Sequence, residues 1–346
     1  MENKQYKAIF FAILAAALYA VSSPISKLLL KEIPPALMAA CLYLGAGLGM
    51  FVIDIIKKNN GTKNAEARLT RKELPYTIGM VVLDIAAPIF LMIGLTMTSA
   101  ANVSLLNNFE IVATSLIALM IFKEPIGMRL WGAISLITIS SIILSIEDLG
   151  SFSFSFGSIF VILACISWGL ENNCTRKLSV KDPMQIVVIK GIGAGTGSLI
   201  IALTAGEKIN NISFAAAALI LGFFAYGLSI FLYIYAQRYL GAAKTSAYYA
   251  VSPFIGVGLS LVIFREVPSA SFIVALSIMV LGMYFASTEG HKLKHHHDAI
   301  THEHSHSHDD GHHNHIHEEA VSGSHTHVHT HVECTHSHKR RLGAHI

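Results

Sequence analysis

The chain has 346 residues, of which 53% are hydrophobic and only 14% are charged, and its formal net charge is +3. Soluble domains carry about 25% charged residues, so the composition excludes an ordinary soluble protein. A net charge this small also gives no reason to expect a nucleic-acid partner. All nineteen histidines lie between His291 and His345. The chain therefore divides into an apolar body and a hydrophilic tail, residues 290–346.

Ten apolar runs follow one another along the body. A membrane span needs about 20 mostly apolar residues. The runs cover residues 8–30, 36–56, 76–97, 101–122, 128–146, 156–178, 184–205, 212–235, 242–264 and 269–287. Because lipid offers no hydrogen bonds, each backbone group must be satisfied within its own segment. The sequence therefore predicts an all-α membrane protein with ten transmembrane helices.

The connections between these runs differ in charge. Counted in chain order, the even-numbered connections carry most of the lysines and arginines of the loops. The second connection alone, residues 57–72, holds six of them. Basic residues mark the cytoplasmic side of a membrane. We therefore expect both termini, and the histidine-rich tail, to lie in the cytoplasm of a cell. The first run continues beyond Ala20 to Leu30, so we expect it to be retained rather than cleaved as a signal peptide.

The two halves of the body resemble each other. Residues 15–34 match residues 164–183, and residues 100–124 match residues 242–266. The matched pairs include Tyr19 with Trp168, Lys27 with Arg176, Pro34 with Pro183, Ser104 with Ser246 and Glu124 with Glu266. Five spans in each half place the second copy upside down in the membrane. Inverted repeats are typical of alternating-access transporters. We predict one repeat over residues 1–149 and another over 150–289.

Each copy opens with a recognisable pattern. An apolar run ends in an aromatic and a small residue, a basic residue follows eight positions after the aromatic, and a proline comes next. The second copy ends with Ser252 and Pro253, then Glu266 thirteen positions after the proline. Over residues 8–288 this resembles the EamA-type branch of the drug/metabolite transporter superfamily. The resemblance implies a ten-helix inverted-repeat fold that carries a small molecule, often outward.

The chain departs from that family pattern at two places. The family usually has a basic residue seven positions after the loop proline, where the first half has Cys41 and the second has Lys190. The first half also has Glu110 and Ile111 at the position of Ser252 and Pro253 in the second. A carboxylate thus replaces a small neutral residue, which argues against a generic substrate.

Polar residues within the apolar runs are the candidate functional residues. An ionisable side chain in hydrocarbon costs several kcal/mol, so it usually faces the bundle interior or a watery cavity. The predicted substrate-binding or ion-binding residues are Asp84, Asn107, Asn108, Glu110, Glu171, Asn172, Lys190, Tyr226 and Tyr248. The three carboxylates could bind a cationic substrate or the coupling proton.

Structural interpretations stand beside these functional ones. Glu110 or Glu171 could pair with Lys190 or Arg176 and only lock two helices together. Lys27 and Arg176 could snorkel towards the membrane surfaces. The tyrosines could line a cavity suited to cation–π contact, or they could simply pack. The functional interpretation is favoured for Glu110, both stay open for Asp84, and the structural one is favoured for Glu171.

The tail is rich in metal-binding side chains. Alternate residues of an extended chain point the same way, so histidines at alternate positions are presented together. The predicted ligands are His295, His296, His297, His302, His304, His306, His308, His312, His313, His315, His317, His325, His327, His329 and His331. Zinc, nickel, cobalt and copper suit imidazole, with Cys334 as a further donor. We expect several labile metal sites on a disordered chain.

The sequence contains no phosphate-binding glycine loop and no recognisable pair of nucleophile and base. We therefore expect neither an enzyme nor ATP-driven transport, and no required cofactor. The first hypothesis is a secondary transporter, an exporter of a small metabolite, with a metal-binding regulatory tail. The alternative is a zinc, nickel or cobalt exporter whose tail collects the metal and passes it to Asp84, Glu110 and Glu171. A membrane-anchored metal buffer ranks third.

Overall fold

A computed structural model describes residues 2–59, 69–123, 126–148, 153–178, 181–240, 245 and 248–287 of the body, and 294–297, 300–306, 325–331 and 334–337 of the tail. The helices are α1 (Glu2–Ala20), α2 (Ser22–Leu29), α3 (Pro35–Asn59), α4 (Leu74–Met97), α5 (Ala100–Leu106), α6 (Phe109–Phe122), α7 (Met128–Ser145), α8 (Phe156–Leu178), α9 (Pro183–Thr204), α10 (Ile212–Gly222), α11 (Ser229–Leu240), α12 (Ser252–Phe264) and α13 (Ala270–Ser287). A 3₁₀ turn, Arg71–Glu73, precedes α4. The short strands β1 (Ile146–Asp148) and β2 (Ser153–Phe154) pair between α7 and α8.

The body is helical, as the apolar runs predict. Within the described residues, seven helical stretches are long and apolar enough to cross a membrane. They cover residues 6–29, 35–59, 71–97, 100–121, 128–145, 183–204 and 212–236. The other three predicted spans coincide with α8, which carries several charged residues, and with the shorter apolar helices α12 and α13.

Several of these stretches are interrupted where the sequence predicts continuous helices. Val21 separates α1 from α2, and Asn107 with Asn108 separates α5 from α6. A π-helical segment, Phe223–Leu228, joins α10 to α11. π-Helical turns and broken membrane helices are concentrated at functional sites. Amide and hydroxyl side chains can satisfy the backbone groups that such breaks release, and Asn108 donates to the carbonyl of Leu105 at 2.9 Å.

The helices pack in pairs that join the two halves of the chain. Helix α3 packs on α9, α4 on α8, α7 on α13 and α1 on α11. Helix α6 also lies against α8, while α12 lies against α5 and α1. One large hydrophobic cluster extends through most of these contacts. The interior is therefore shared between the halves rather than divided into two cores.

Glycines allow α3 and α9 to cross at backbone contact. A Cβ atom on Gly47 would lie 2.4 Å from the backbone nitrogen of Ile192, and one on Gly191 would lie 2.4 Å from the nitrogen of Gly47. Small residues let membrane helices approach closely, which compensates for the weak hydrophobic driving force in lipid. The glycines of these two spans therefore fix the central crossing between the halves.

The described residues of the tail form four strands: β3 (Lys294–His297), β4 (Ile300–His306), β5 (His325–His331) and β6 (Cys334–Ser337). Strand β3 pairs with β6 and β4 with β5, both antiparallel. His302 lies opposite His329, and His304 opposite His327. The sequence predicts a disordered tail, and the paired strands differ from that expectation. Alternation of histidine with threonine, serine and valine is the period-two pattern of a strand.

Replacing Gly191 by alanine is expected to destabilise the body. The new Cβ would overlap the backbone of Gly47, and overpacking costs about 1–3 kcal/mol or more. Thermal unfolding of the full chain in detergent measures the effect. The matched control is Gly132→Ala, since a Cβ at Gly132 meets no atom within 4 Å. That control should gain about 0.5–1 kcal/mol of helix stability. Equal stability of the two variants would contradict the tight crossing.

Candidate functional site

A mostly buried lysine, 15% exposed, joins two buried carboxylates from different helices. The Nζ atom of Lys190 lies 3.1 Å from Oδ2 of Asp84 and 3.1 Å from Oε1 of Glu171. The side chain of Asp84 is 0% exposed and that of Glu171 is 1% exposed. We call these three residues the ion-pair triad. Their charges are removed from water, so each carboxylate depends on Lys190 for its neutralisation.

Helix packing explains why the triad forms. Helix α4, which carries Asp84, lies against both α8 and α9. Glu171 is on α8 and Lys190 is on α9. Two glycines on α9 face α4: a Cβ on Gly193 would meet Val81 at 3.0 Å, and one on Gly197 would meet Ile85 at 2.2 Å. The close approach of α4 and α9 brings Asp84 within reach of Lys190.

Aromatic and hydroxyl side chains form a hydrogen-bond network around the triad. Tyr43 donates its hydroxyl to Oδ1 of Asp84 at 3.0 Å, and Trp168 donates Nε1–H to the oxygen of Tyr43 at 3.3 Å. Thr175 donates its hydroxyl to Glu171. Hydrogen bonds to ionised groups are stronger than those between neutral groups. The triad is therefore held by a chain of polar side chains from α3, α4, α8 and α9.

Glu110 lies in a second polar group, between α6 and α8. Asn172 donates Nδ2–H to Oε1 of Glu110 at 2.6 Å and lies 3.3 Å from the hydroxyl of Thr114. A Cβ on Gly169 would come within 2.8 Å of both Ala113 and Thr114, so glycine permits this close helix contact. The contact brings α8 against the first turn of α6, where Glu110 lies.

Tyrosines form an aromatic group beside these carboxylates. The ring of Tyr226 packs against Tyr43 at 5.4 Å and against Tyr19 at 5.7 Å between centroids, and Tyr19 packs against Tyr249 at 6.0 Å. Tyr226 lies in the π-helical segment, and Ser22 donates to its hydroxyl at 3.1 Å. We call Tyr19, Tyr43, Tyr226 and Tyr249 the tyrosine cluster. It connects α1 and α3, which carry Tyr19 and Tyr43, to the π-helical segment and to the turn before α12.

A small cavity opens at these helix interruptions. Its lining consists of Tyr19, Ala20, Ser23, Ser104, Asn107, Ser252, Pro253 and Gly256. The space accommodates about one water molecule. The breaks between α1 and α2 and between α5 and α6, together with the first turn of α12, surround it. Polar side chains and chain breaks therefore meet at one place in the bundle.

Most of the membrane residues predicted from the sequence come together here. Asp84, Glu171 and Lys190 form the triad, Glu110 contacts Asn172, and Tyr226 lies in the tyrosine cluster. Asn107 lines the cavity, and Asn108 is buried at the break between α5 and α6.

Other predicted residues lie elsewhere or act differently. Tyr248 is 37% exposed, whereas its neighbour Tyr249 joins the tyrosine cluster. Lys27 does not simply snorkel: its Nζ donates to the carbonyls of Leu95 and Thr98 at 2.5 and 2.9 Å, which closes the end of α4. Of the predicted tail ligands, His308, His312, His313, His315 and His317 lie outside the described residues, and the others lie on β3, β4 and β5.

Sequence reasoning missed Tyr43 and Trp168 as members of the site. Both lie in apolar runs where an aromatic side chain is ordinary, so composition gives no signal. The signal for Trp168 was its match with Tyr19 in the repeat, since each ring occupies the same position in its copy. The position of Tyr43 follows only from the crossing of α3 with its neighbours.

Long apolar helices around a buried cluster of charges define a class of polytopic membrane proteins that carry solutes. The sequence profile described as the EamA-like transporter family matches residues 6–146 and 155–288. The chain therefore belongs to the EamA-like transporter family. This membership makes it an integral membrane transporter, in contact with the lipid bilayer, rather than an enzyme.

Two known proteins resemble the chain. An uncharacterised transporter from Methanothermobacter thermautotrophicus is 26% identical over 296 residues, which cover 80% of this chain and 85% of the relative. A protein of known crystal structure superposes with a TM-score of 0.60 at 15% identity, over 83% of this chain and 98% of that one. At this identity the structural likeness shows the shared fold alone.

Replacing Lys190 by methionine should leave two buried carboxylates without their cation. Breaking a buried ion pair on one side costs about 3–5 kcal/mol. The loss should shrink as the pH falls, because protonated carboxyl groups need no counter-charge. Unfolding of the full chain in detergent, followed from neutral to acidic pH, measures this. Lys190→Arg keeps the charge as a control. The triple variant with Asp84→Asn and Glu171→Gln should recover most of the stability, and its failure to do so would contradict this account.

Proposed function

We propose that the chain is a secondary active transporter that exports a small metabolite by alternating access, with proton movement as the driving force. The triad carries this proposal. Asp84 belongs to the first half of the chain, whereas Lys190 and Glu171 belong to the second. Protonation of a carboxylate would remove one attraction to Lys190. The ion pairs that hold α4 against α8 and α9 would then weaken on protonation and strengthen on deprotonation.

A ten-helix inverted repeat is the architecture that we propose for this cycle. The packing is consistent with an exchange of the two halves: α4 on α8 corresponds to α11 on α1, and α6 on α8 corresponds to α12 on α1. Helices α3 and α9 would pair across the symmetry axis, as would α7 and α13. Two separate matches to the family profile support the same division.

Backbone conformation supports the repeat independently of sequence identity. Lys123 ends α6 with φ 54° and ψ 31°, and Arg265 ends α12 with φ 53° and ψ 34°. These are the only residues other than glycine with positive φ among the described residues. Left-handed backbone is uncommon for side chains of this kind. The same rare helix ending therefore recurs at corresponding positions of the two proposed copies.

Asp84→Asn is the first functional test. The asparagine keeps the hydrogen bond with Tyr43 but cannot exchange a proton. We expect proteoliposomes that contain this variant to lose proton-driven transport while retaining exchange of cargo against cargo. A pH-sensitive dye inside the vesicles, combined with solute flux, distinguishes the two. Glu32→Gln, an exposed carboxylate in the loop after α2, is the control. Normal proton-driven flux in Asp84→Asn would refute the proposed coupling.

The tail is proposed to bind a divalent transition metal from the cytoplasmic side and to regulate transport. Its histidines alternate with other residues in both runs, and the register of β4 with β5 places His302, His304 and His306 opposite His329, His327 and His325. The basic connections of the body favour a cytoplasmic location for both termini.

We expect the full chain to bind several equivalents of zinc or nickel, and a chain that ends at Gly290 to lose this binding. Equilibrium dialysis at neutral pH measures it, and acidification should release the metal because imidazole becomes protonated. Retention of all binding by the shorter chain would place the metal in the body.

Metal as the cargo is the second candidate function. Its support is the excess of carboxylates over lysine in the site together with the histidine-rich tail. The metal would have to displace Lys190 from Asp84 and Glu171, which makes this candidate the weaker one. Zinc, nickel and cobalt flux, compared between the full chain and the chain that ends at Gly290, tests it. Flux in both, reduced without the tail, would make the metal the cargo, whereas flux in neither would leave an organic solute.

A further inference from the structure

The charges in the centre of the bundle do not balance. Lys190 makes ion pairs with two buried carboxylates, Asp84 and Glu171. A third carboxylate, the half-buried Glu110, accepts a hydrogen bond from the neutral amide of Asn172 at 2.6 Å. Within the part of the chain that the structure describes, no cation lies within ion-pair distance of Glu110. A carboxylate that is partly removed from water attracts a positive charge from outside the protein unless a proton neutralises it.

Two buried oxygen atoms beside the cavity lack hydrogen-bond partners. They are Oδ1 of Asn107 and Oγ of Ser104, and both residues line the cavity at the break between α5 and α6. Ser104 is 3% exposed. A buried polar atom without a protein partner has to be satisfied by a water molecule or by a group that binds there. An amide oxygen can only accept, so the missing group must be a donor.

The tyrosine cluster supplies the third element of the site. Tyr19 lines the same cavity and packs against Tyr226 and Tyr249. The backbone N–H of Glu110 donates to the carbonyl of Asn107 at 3.1 Å, so this carboxylate belongs to the turn that follows a residue of the cavity lining. The face of an aromatic ring carries partial negative charge and attracts cations. The unpartnered acceptors and the ring of Tyr19 therefore line one opening, and Glu110 follows one helical turn after Asn107.

Resting on the transport function proposed above, we propose that the cargo is a small protonated amine. Its ammonium group pairs with Glu110 and donates N–H bonds to Asn107 Oδ1 and Ser104 Oγ, and its carbon skeleton packs against the tyrosine cluster. A quaternary ammonium ion has no N–H group and would leave Asn107 unsatisfied. An anionic solute would meet Glu110 with a like charge. The need for N–H donors and for a positive charge thus defines the chemical class of the cargo.

The cavity is small in this structure, since it accommodates about one water molecule, and an amine needs it to widen. Its walls include Ala20 and Asn107, which lie beside the breaks between α1 and α2 and between α5 and α6. Short helices on either side of a break can tilt separately, so the opening needs no unfolding of a full span. Amine binding should therefore accompany movement at these two breaks.

A series of compounds with one carbon skeleton tests the charge requirement directly. The probes are 3-methylbutylammonium, 3-methylbutanol and 3-methylbutanoate, each added to the full chain in detergent at neutral pH. Saturable thermal stabilisation and calorimetric binding report occupancy. We expect binding of the ammonium at least about tenfold tighter than that of the alcohol, because a bond to a charged group is stronger than a neutral one. Equal binding of ammonium and alcohol, or tighter binding of the carboxylate, would overturn the proposal.

Variants distinguish a specific loss of amine binding from a general loss of protein stability. Glu110→Gln should abolish the preference for the ammonium, and Asn107→Asp should increase it because a second negative charge faces the cavity. Exposed Glu32→Gln is the matched control and should bind as the unaltered chain does. If Glu110→Gln does not fold, Asn107→Asp and Ser104→Ala decide the question. An unchanged preference in a folded Glu110→Gln protein, or in both of the other two, would rule out the assigned site.

Flux measurements distinguish failure of this inference from failure of the transport function. Proteoliposomes receive the same three probes under a proton gradient. Proton-coupled flux of the alcohol or carboxylate, lost in Asp84→Asn, would leave the transporter in place and reject the amine. Specific amine binding without flux of any probe would keep the amine site and reject proton-driven transport of this class. Amine flux that requires both Glu110 and Asp84 supports the two proposals together.

Discussion

The attraction between Lys190 and two carboxylates of opposite halves is the constraint on which the interior depends. A lysine and two acidic residues in a dry, helical bundle are tolerable only while they remain together, since the isolated charges are far more costly than the assembled group. Helices α4, α8 and α9 must therefore keep their relative positions in this conformation. The contacts of Tyr43 and Trp168 are arranged around that requirement.

Glu110 and the triad occupy neighbouring but chemically different surroundings. The triad is internally compensated, with hydroxyl donors from Tyr43 and Thr175. Glu110 accepts from the neutral amide of Asn172 in the described structure and lies one helical turn after Asn107, whose Oδ1 has no hydrogen-bond partner. The ion-pair triad and Glu110 are therefore separate parts of one interior. That separation allows variants of Asp84 and Glu110 to report on different steps.

Sequence patterns predicted the helical body and the membrane residues that meet in its centre. The length of an apolar run can be read from the sequence alone, which is why the helices were predicted. An ionisable residue within such a run faces the interior because exposure to lipid is costly, so Asp84, Glu171 and Lys190 could be identified without coordinates. Their partnership could not, because it depends on how α4 approaches α9 across glycines that lie far away in sequence. The structural interpretation named Glu110 or Glu171 as a partner of Lys190 or Arg176, whereas Lys190 pairs with both Glu171 and Asp84.

The interruptions of the spans were also beyond sequence reasoning. Asn107, Asn108 and the π-helical segment occur within runs whose hydropathy suits uninterrupted helices. Tertiary contacts decide such breaks: Cys165 approaches the carbonyls of Leu106 and Asn107, and Ser22 bonds Tyr226 across the bundle. The paired strands of the tail differ from the predicted disorder because alternation of histidine also suits a strand.

The glycine crossing of α3 and α9 also limits which residues the interface between the halves tolerates. At Gly47 and Gly191 the two backbones touch, and the side chain of Ile192 packs against Gly47. A side chain at either position would hold the two helices apart. Because α3 and α9 belong to different halves of the chain, a single added methyl group there would displace one half against the other.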